Sequence, residues 1–193
     1  MKNYKFIDIA KKTIQAEIDS LKKLKNRFPK NFSQAVETIL NCKGKVVVTG
    51  VGKSGTIGAK ISSTLASVGT PSFFIDANSC SHGNLGMVDN KDCIIIISLS
   101  GISDELKDII QYANRRKITL IGIVSKKNSL LYKASDVKVL LPEVIEADPN
   151  KIVPTSSTII QLAIGDAIAV ATMKHKKFSK LDFKKFHPGG SLA

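Results

Sequence analysis

The chain of 193 residues has no tryptophan, only three cysteines and no long apolar run. None of its apolar runs approaches the roughly 18 residues that span a membrane, and the N-terminus mixes charged with apolar residues, so we expect neither a transmembrane segment nor a signal peptide. The cysteines, Cys42, Cys80 and Cys93, are odd in number and show no CxxC spacing. This pattern predicts reduced, mainly structural thiols in a cytoplasmic protein.

Acidic residues are also few, since 16 of them face 29 lysines and arginines and the net charge is +13. A strongly basic chain is typical of nucleic-acid-binding proteins. The lysines are scattered in pairs, however, and no aromatic residues are interleaved with them as a stacking platform for bases requires. We therefore expect no nucleic-acid partner, and a solvated lysine surface that attracts anionic substrates.

Short apolar runs and helical patterns alternate along the chain. Runs rich in β-branched residues predict strands at 45–49, 71–75, 93–99, 118–124 and 137–141. Helical spacing predicts helices at 4–26, 31–41, 54–67, 103–116, 129–134, after Pro154, and at 180–186. This order predicts a single α/β domain over 1–193, with helices in 1–43 and an α/β core in 44–193. We expect a three-layer αβα sandwich, flavodoxin-like or Rossmann-like, around a mostly five-stranded parallel sheet.

The first candidate site is the segment GVGKSG at 50–55, between the first strand and a helix. Ligands of such sheets bind beyond the carboxyl ends of the strands. A P-loop is excluded because Val47 stands where its first glycine belongs. A dinucleotide fingerprint, GxGxxG with Asp76 as the ribose-binding acid, remains open. So do a phosphate-binding turn with Lys53 and Ser54 beside the anion, and an ordinary tight turn.

The second candidate site is the segment SLSGIS at 98–103, after the third strand. Its hydroxyls, on Ser98, Ser100 and Ser103, can surround a phosphate monoester together with the first N–H groups of the next helix. The alternative is an ordinary helix cap by Ser100 or Ser103. A dinucleotide fold does not require this second loop, so the two loops together favour a sugar phosphate.

At these loops the chain resembles the sugar isomerase (SIS) domain family, and further segments make it similar to D-arabinose-5-phosphate isomerases. These segments are GVGKSGTIGAKISSTLASVGTPSFF, SHGNLGMV, IEADP with VPTSSTIIQLAIGDAIAVA, and DFKKFHPGGSLA. The resemblance runs from about Val46 to the last residue. It implies a parallel sheet between helical layers, a homo-oligomer that is usually a tetramer, and no metal or other cofactor. The implied reaction interconverts D-ribulose 5-phosphate and D-arabinose 5-phosphate on the route to Kdo, a lipopolysaccharide sugar.

The resemblance also implies roles for individual residues. The catalytic positions are Lys53, His82, Glu105, Glu146 and His187. The substrate-binding positions are Gly52, Ser54, Gly69, Thr70, Ser98, Ser100, Gly101, Ser103, Thr155 and Ser156. Aldose–ketose isomerisation through an enediol needs a base, which either glutamate can supply, and an acid or base for ring opening, which a histidine can supply. The lysine can stabilise the enediolate or the phosphate.

The chain departs from the pattern of this family at several positions. Leu99 and Ile102 replace polar residues of the second loop, and Asn84 replaces an aspartate. Asp148 stands where cysteine is common, and Asp76 where histidine is frequent. The serine spacing is kept, so we expect phosphate binding to persist and sugar selectivity and turnover to be the properties affected.

Three alternatives follow from these departures and from the first loop. The chain is expected to lack the two CBS domains that follow the SIS domain in many relatives, which, with the altered second loop, leaves a non-catalytic phosphosugar sensor as an alternative. The others are an isomerase of another phosphosugar, such as a hexulose 6-phosphate, and an NAD-binding module.

Overall fold

A five-stranded parallel sheet forms the centre of the molecule in a computed structural model that describes residues 5–189. The strands are β1 (Val46–Gly50), β2 (Ser72–Asp76), β3 (Cys93–Ile97), β4 (Thr119–Val124) and β5 (Val137–Leu140). Their order across the sheet is β2-β1-β3-β4-β5, and every neighbouring pair is parallel. β1 and β3 are buried along their whole length, which explains why they are continuously apolar rather than alternating.

Eight helices cover the sheet in the described part of the chain. They are α1 (Phe6–Asn26), α2 (Phe32–Asn41), α3 (Gly52–Ser67), α4 (Ala77–Cys80), α5 (Lys107–Arg116), α6 (Leu130–Ala134), α7 (Ser156–His175) and α8 (Lys180–Phe186). One core cluster joins the sheet to α1, α2, α3 and α7, and a second joins its other face to α4, α5 and α6. The predicted three-layer α/β fold with a five-stranded parallel sheet is therefore confirmed.

The predicted bounds differ from the observed ones where loops turn early. The third strand ends at Ile97, two residues before its predicted end, because the chain turns at Ser98. The helix predicted from residue 103 begins as a 3-10 turn, Asp104–Leu106, before α5 starts at Lys107. The short helix α4 and a 3-10 turn at Asn84–Met87 were not predicted. Gly190, the last residue of the HPGG motif, and residues 191–193 lie outside the described residues.

The apolar stripe of α1 is only partly covered. Leu24 is buried, whereas Ile7 and Ile14 are 70% and 56% exposed. Only the last turns of α1 are buried, where the helix packs on α7.

Helix α7 is long and apolar enough to cross a membrane by length and composition, with a mean hydropathy of 1.4 over its apolar window. Half of that window is buried inside the protein, and Ile160, Ile164 and Ile168 belong to the core cluster. Its composition is therefore that of a core helix, which must be apolar where it lies between the sheet and other helices.

Candidate functional site

The main candidate site is a cavity of about 570 Å³ at the carboxyl edge of the sheet. Lys53 and Ser54, in the first turn of α3, line one side. Leu99, after β3, also lines it, and Glu146 and Ser157 come from the segment that joins β5 to α7. The structure thus brings the first predicted loop together with one of the two predicted glutamates.

The first turn of α3 is built for close approach of the backbone. A Cβ atom on Gly55 would lie 2.6 Å from the carbonyl oxygen of Gly50, so only glycine lets the helix start this close to the strand. Gly52 adopts the left-handed region with φ of 57°, and no side chain caps the helix. The uncapped N–H groups and Lys53 together favour an anion at this end of the cavity.

Glu146 lines the opposite wall of the cavity and binds the N–H groups at the start of α7. Its Oε2 atom accepts hydrogen bonds from the N–H groups of Thr155 and Ser157, at 2.9 and 3.1 Å, and from the Thr155 hydroxyl at 3.2 Å. Partial burial acts to raise the pKa of Glu146, but the hydrogen bonds from Ser157 and Thr155 outweigh it and hold the pKa below its usual value. The carboxylate is therefore held ionised at the start of α7, where the helix dipole also favours it.

The predicted serine loop folds tightly against β4 and α6. Ser98 is 5% exposed, and its Oγ atom accepts a hydrogen bond of 3.0 Å from the Gly101 N–H. Gly101 has φ of 67°, and a Cβ atom there would clash with the Ser129 side chain. Ser100 is exposed and Ser103 is half-buried, and Ser103 does not cap the following turn with its side chain. The hydroxyl of Ser98 thus shapes the loop, and that of Ser100 is open to a ligand.

His82 and Glu105 lie at the same carboxyl edge of the sheet, on the side of the other helical layer. Both are exposed. His82 follows α4, which packs against the 3-10 turn that carries Glu105, and Ser81 hydrogen-bonds to Asp108 beside them. Neither lines the cavity that contains Lys53 and Glu146.

Gly69, Thr70 and His187 lie at the opposite, amino edge of the sheet. α3 leaves the carboxyl edge and ends just before Gly69, whose carbonyl oxygen accepts a hydrogen bond of 3.1 Å from Lys176 Nζ. Thr70 is 2% exposed and its Oγ1 atom also binds Lys176, at 3.0 Å. His187 follows α8 directly and stacks on Phe183 with ring centroids 3.8 Å apart. Within one chain these three predicted residues are not brought to the cavity.

Thr155 and Ser156 differ in what they do at the start of α7. Thr155 supplies two of the three donors to Glu146 and also accepts from the Ala147 N–H, at 2.8 Å. Ser156 is fully buried, and its Oγ atom has no hydrogen-bond partner among the described residues. The cavity is lined by the next residue, Ser157, instead.

Asp76, the acid of the dinucleotide interpretation, has a local structural role. Its carboxylate accepts a hydrogen bond of 2.9 Å from the Asn78 N–H and caps α4. Among residues 5–189, no group of three or more histidine, cysteine, aspartate or glutamate side chains could hold a metal ion.

The model of the SIS domain family matches residues 39–171 of the chain. This chain belongs to the SIS domain family. The match covers Lys53, the serine loop, Glu105, Glu146 and most of α7, and α8 with His187 lies beyond it.

Two curated proteins are similar to this SIS domain along most of its length. The arabinose 5-phosphate isomerase KdsD of Yersinia pestis is 43% identical over 187 residues, which are 97% of this chain and 57% of that protein. The KdsD protein of Francisella tularensis is 42% identical, over 96% of this chain and 58% of that protein. The chain thus spans a little over half the length of these curated relatives.

A solved structure matches the SIS domain from end to end. E. coli CFT073 c3406, in complex with arabinose 5-phosphate, superposes with a TM-score of 0.93 at 35% identity. The match covers 97% of this chain and 100% of that chain. The fold of this chain is therefore that of a whole c3406 chain.

Lys151, which was not predicted from the sequence, also lines the candidate site. It lines the cavity with Lys53, and its backbone adopts φ of 60°. The loop is held in this shape by Asp148, which accepts hydrogen bonds of 2.8 Å from the N–H groups of Ile152 and Val153. One lysine among many in a basic chain carries no signal in the sequence, and only the fold of this loop places it at the site.

Proposed function

We propose that this SIS domain is an aldose–ketose isomerase that interconverts D-ribulose 5-phosphate and D-arabinose 5-phosphate. The observation that carries the proposal is the cavity that joins Lys53, the uncapped start of α3 and Glu146. The names of the KdsD relatives and the arabinose 5-phosphate bound to c3406 support this substrate. We place the reaction in the cytoplasm, in the supply of arabinose 5-phosphate for Kdo and lipopolysaccharide.

The phosphate of the sugar is proposed to bind at the start of α3. The N–H groups of the first helical turn point into this region, and Lys53 and Lys151 add two positive charges. Ser54 lines the same wall and can donate its hydroxyl. Ser100, whose side chain is exposed on the neighbouring loop, is proposed to donate a second hydroxyl to the phosphate.

Glu146 is proposed to move the proton. It removes the C2 proton of the aldose while O1 is protonated, which gives the enediol, and returns the proton to C1 as O2 loses its own, which gives the ketose. The Thr155 N–H, the Thr155 hydroxyl and the Ser157 N–H all bind Oε2, which fixes the carboxylate at the wall of the cavity. Glu105 lies outside the cavity, so geometry favours Glu146 over Glu105.

The two histidines are proposed to act from different chains. His82 lies at the carboxyl edge of its own sheet, whereas His187, with Gly69 and Thr70, lies at the amino edge. We propose a homo-oligomer, a tetramer, in which a second copy brings His187 to the cavity. The exposed apolar side chains of Ile7 and Ile14 on α1 support contacts between copies.

Proton NMR in D2O tests the reaction directly. With D-ribulose 5-phosphate, the purified protein should form arabinose 5-phosphate that carries deuterium at C2. Lys53→Ala and Glu146→Gln should each lower kcat/KM by at least about 100-fold, as loss of a charge contact or of a proton-transfer group does. Lys133→Ala, a substitution of an exposed lysine on α6, is the matched control and should leave the rate unchanged.

The outcomes of this experiment separate the parts of the proposal. No product and no exchange with folded wild-type protein would overturn the isomerase. Full activity of Glu146→Gln together with a large loss in Glu105→Gln would reverse the assignment of the base and leave the reaction standing.

A sensor without catalysis is the second candidate function, and Leu99 favours it. This apolar side chain lines the cavity, where a polar one could contact the sugar hydroxyls. A sensor would bind arabinose 5-phosphate in calorimetry and show no deuterium exchange at C2. Exchange at a rate that Lys53→Ala reduces would exclude it.

A further inference from the structure

Two of the three cysteines converge at the amino edge of the sheet, away from the proposed active site. Cys42 follows α2 and Cys93 opens β3. The Sγ atom of Cys42 lies 3.6 Å from the carbonyl oxygen of Lys45, and the N–H of Cys93 donates to the same oxygen at 3.1 Å. Cys42 Sγ also lies 3.4 Å from the carbonyl oxygen of Lys91, two residues before Cys93.

The two cysteines lie beside each other. The carbonyl oxygen of Lys45 is bonded by both the Cys42 thiol and the Cys93 N–H, and both residues line one cavity of about 550 Å³. Cys42 is half-buried and so is reachable from solvent, whereas Cys93 is 2% exposed. An accessible thiol with a second, buried thiol beside it is the arrangement of an attacking and a resolving cysteine.

We propose that Cys42 and Cys93 form a peroxide-oxidisable thiol pair that closes reversibly to a disulfide. The Cys42 thiolate attacks one oxygen of hydrogen peroxide, which breaks the O–O bond, releases hydroxide and leaves a sulfenic acid on Cys42. The Cys93 thiol then attacks that sulfur, so that the S–S bond forms, the S–O bond breaks, and the Cys93 proton leaves with the oxygen as water. One peroxide is reduced and two thiols are oxidised.

The surroundings favour this order of events. A hydrogen bond from Cys93 lowers the pKa of the Cys42 thiol to about 6, despite partial burial, and so favours formation of the thiolate that reacts with peroxide. Lys176 lies near enough to Cys42 for the two charges to interact. Burial lowers the pKa of Lys176, and a negative charge on Cys42 raises it. The hydrogen bond that Cys93 donates to Cys42, together with burial, raises the pKa of Cys93, so Cys93 remains a neutral thiol.

Cys80 serves as the internal reference for this proposal. It is also buried, and burial with the charges of Asp76 and Asp108 raises its pKa to about 11. Its thiolate is scarce at neutral pH, so Cys42 should react with hydrogen peroxide at least about 100-fold faster than Cys80.

Mass spectrometry of the oxidised full chain tests the proposal. Tryptic cleavage separates the cysteines, because Cys42 falls in peptide 31–43, Cys80 in 61–91 and Cys93 in 92–107. After hydrogen peroxide and blocking of remaining thiols, we expect a cross-linked 31–43/92–107 pair that is lighter by two hydrogen atoms and that dithiothreitol separates. The 61–91 peptide should carry the blocked thiol.

Single substitutions distinguish the two steps. Cys93→Ser, which keeps a donor beside Cys42 but cannot form the disulfide, should let dimedone trap the sulfenic acid on Cys42, and Cys80→Ala should leave the cross-link unchanged. Circular dichroism of each variant checks that the fold is kept. Peptides 31–43 and 92–107 that stay uncross-linked while Cys42 is oxidised to sulfinic acid, or oxidation of Cys80 before Cys42, would overturn the proposal.

Discussion

At the scale of single residues, Glu146 combines two tasks in one carboxylate. Its Oε2 atom closes the start of α7 through Thr155 and Ser157, and the same side chain lines the cavity proposed to hold the sugar phosphate. A base fixed by three donors is well positioned, but its lowered pKa makes it a weak base in the absence of substrate. A substrate that excludes water from the cavity would raise that pKa toward the working range.

Thr155→Val tests the hydrogen bond from the Thr155 hydroxyl to the Glu146 carboxylate. The substitution removes one donor to the carboxylate and the acceptor of the Ala147 N–H, so we expect a loss of about 1 kcal/mol of unfolding free energy at neutral pH. A lowered folded pKa stabilises the protein above the unfolded pKa and loses that contribution as pH falls through the folded value. The part of the wild-type advantage that is due to Glu146 should therefore shrink below pH 4.5, the ordinary pKa of this residue.

Urea unfolding at neutral and acidic pH provides the measurement. Thr38→Val is the matched control, because the Thr38 hydroxyl donates to the Gln34 carbonyl one turn back in α2 and contacts no carboxylate among the described hydrogen bonds. Its effect should not change with pH. An equal dependence on pH in both variants would contradict the role given to Thr155.

The sequence predicted the residues of the cavity better than their interactions. Lys53, Ser54 and Glu146 were predicted and do share one cavity, because the carboxyl ends of parallel strands meet at one edge. Their roles as substrate and catalytic residues stay predictions. That Ser98 turns inward, or that Lys176 binds Thr70, could not be predicted, since both depend on tertiary contacts between distant segments.

At the scale of elements, α7 is the helix on which one half of the core depends. It packs against α1, α2 and α3, and its contact with α3 is close enough that a Cβ atom on Gly165 would clash with the Ile61 side chain. Lys60 and Asp166 add an ion pair between α3 and α7 at the exposed rim. Such a pair contributes little, so the apolar face of α7 is the part that stabilises this layer.

Ile164→Ala tests that dependence on α7. Ile164 is fully buried, so the cavity left by its truncation should lower the free energy of unfolding by about 2–4 kcal/mol. Val170→Ala, on the same helix at a side chain that is 54% exposed, should cost less than about 0.5 kcal/mol. Urea unfolding measures both, and similar losses in the two variants would show that α7 is not packed as described.

The elements themselves were largely predictable, since the strands are short runs rich in β-branched or aromatic residues and alternate with longer helical segments. The short helix α4 was not predicted, because four residues are too few to show a helical period. The exposure of Ile7 and Ile14 could not be predicted from the sequence either, because an apolar stripe has the same pattern whether the fold or another copy covers it.

At the scale of the whole molecule, the net charge of +13 favours the approach of anionic ligands. If the cavity with Lys53 and Lys151 binds a sugar phosphate, salt should screen the attraction between the chain and the dianion. We expect KM for ribulose 5-phosphate to rise about three- to tenfold between low and high sodium chloride, with kcat nearly constant. Steady-state kinetics at several salt concentrations give this split, and a KM independent of salt would argue against long-range attraction.

The place of α7 in the chain has a consequence for how the protein is made. The ribosome delivers α1 and α2 first, yet the helix that packs against them ends at His175, near the other end of the described chain. Until α7 has emerged from the exit tunnel, the side of α3 that carries Ile61 lacks the helix that packs against it. This half of the protein therefore completes its folding only after residue 175 has emerged, and the nascent chain is until then an expected client of chaperones that bind exposed apolar segments.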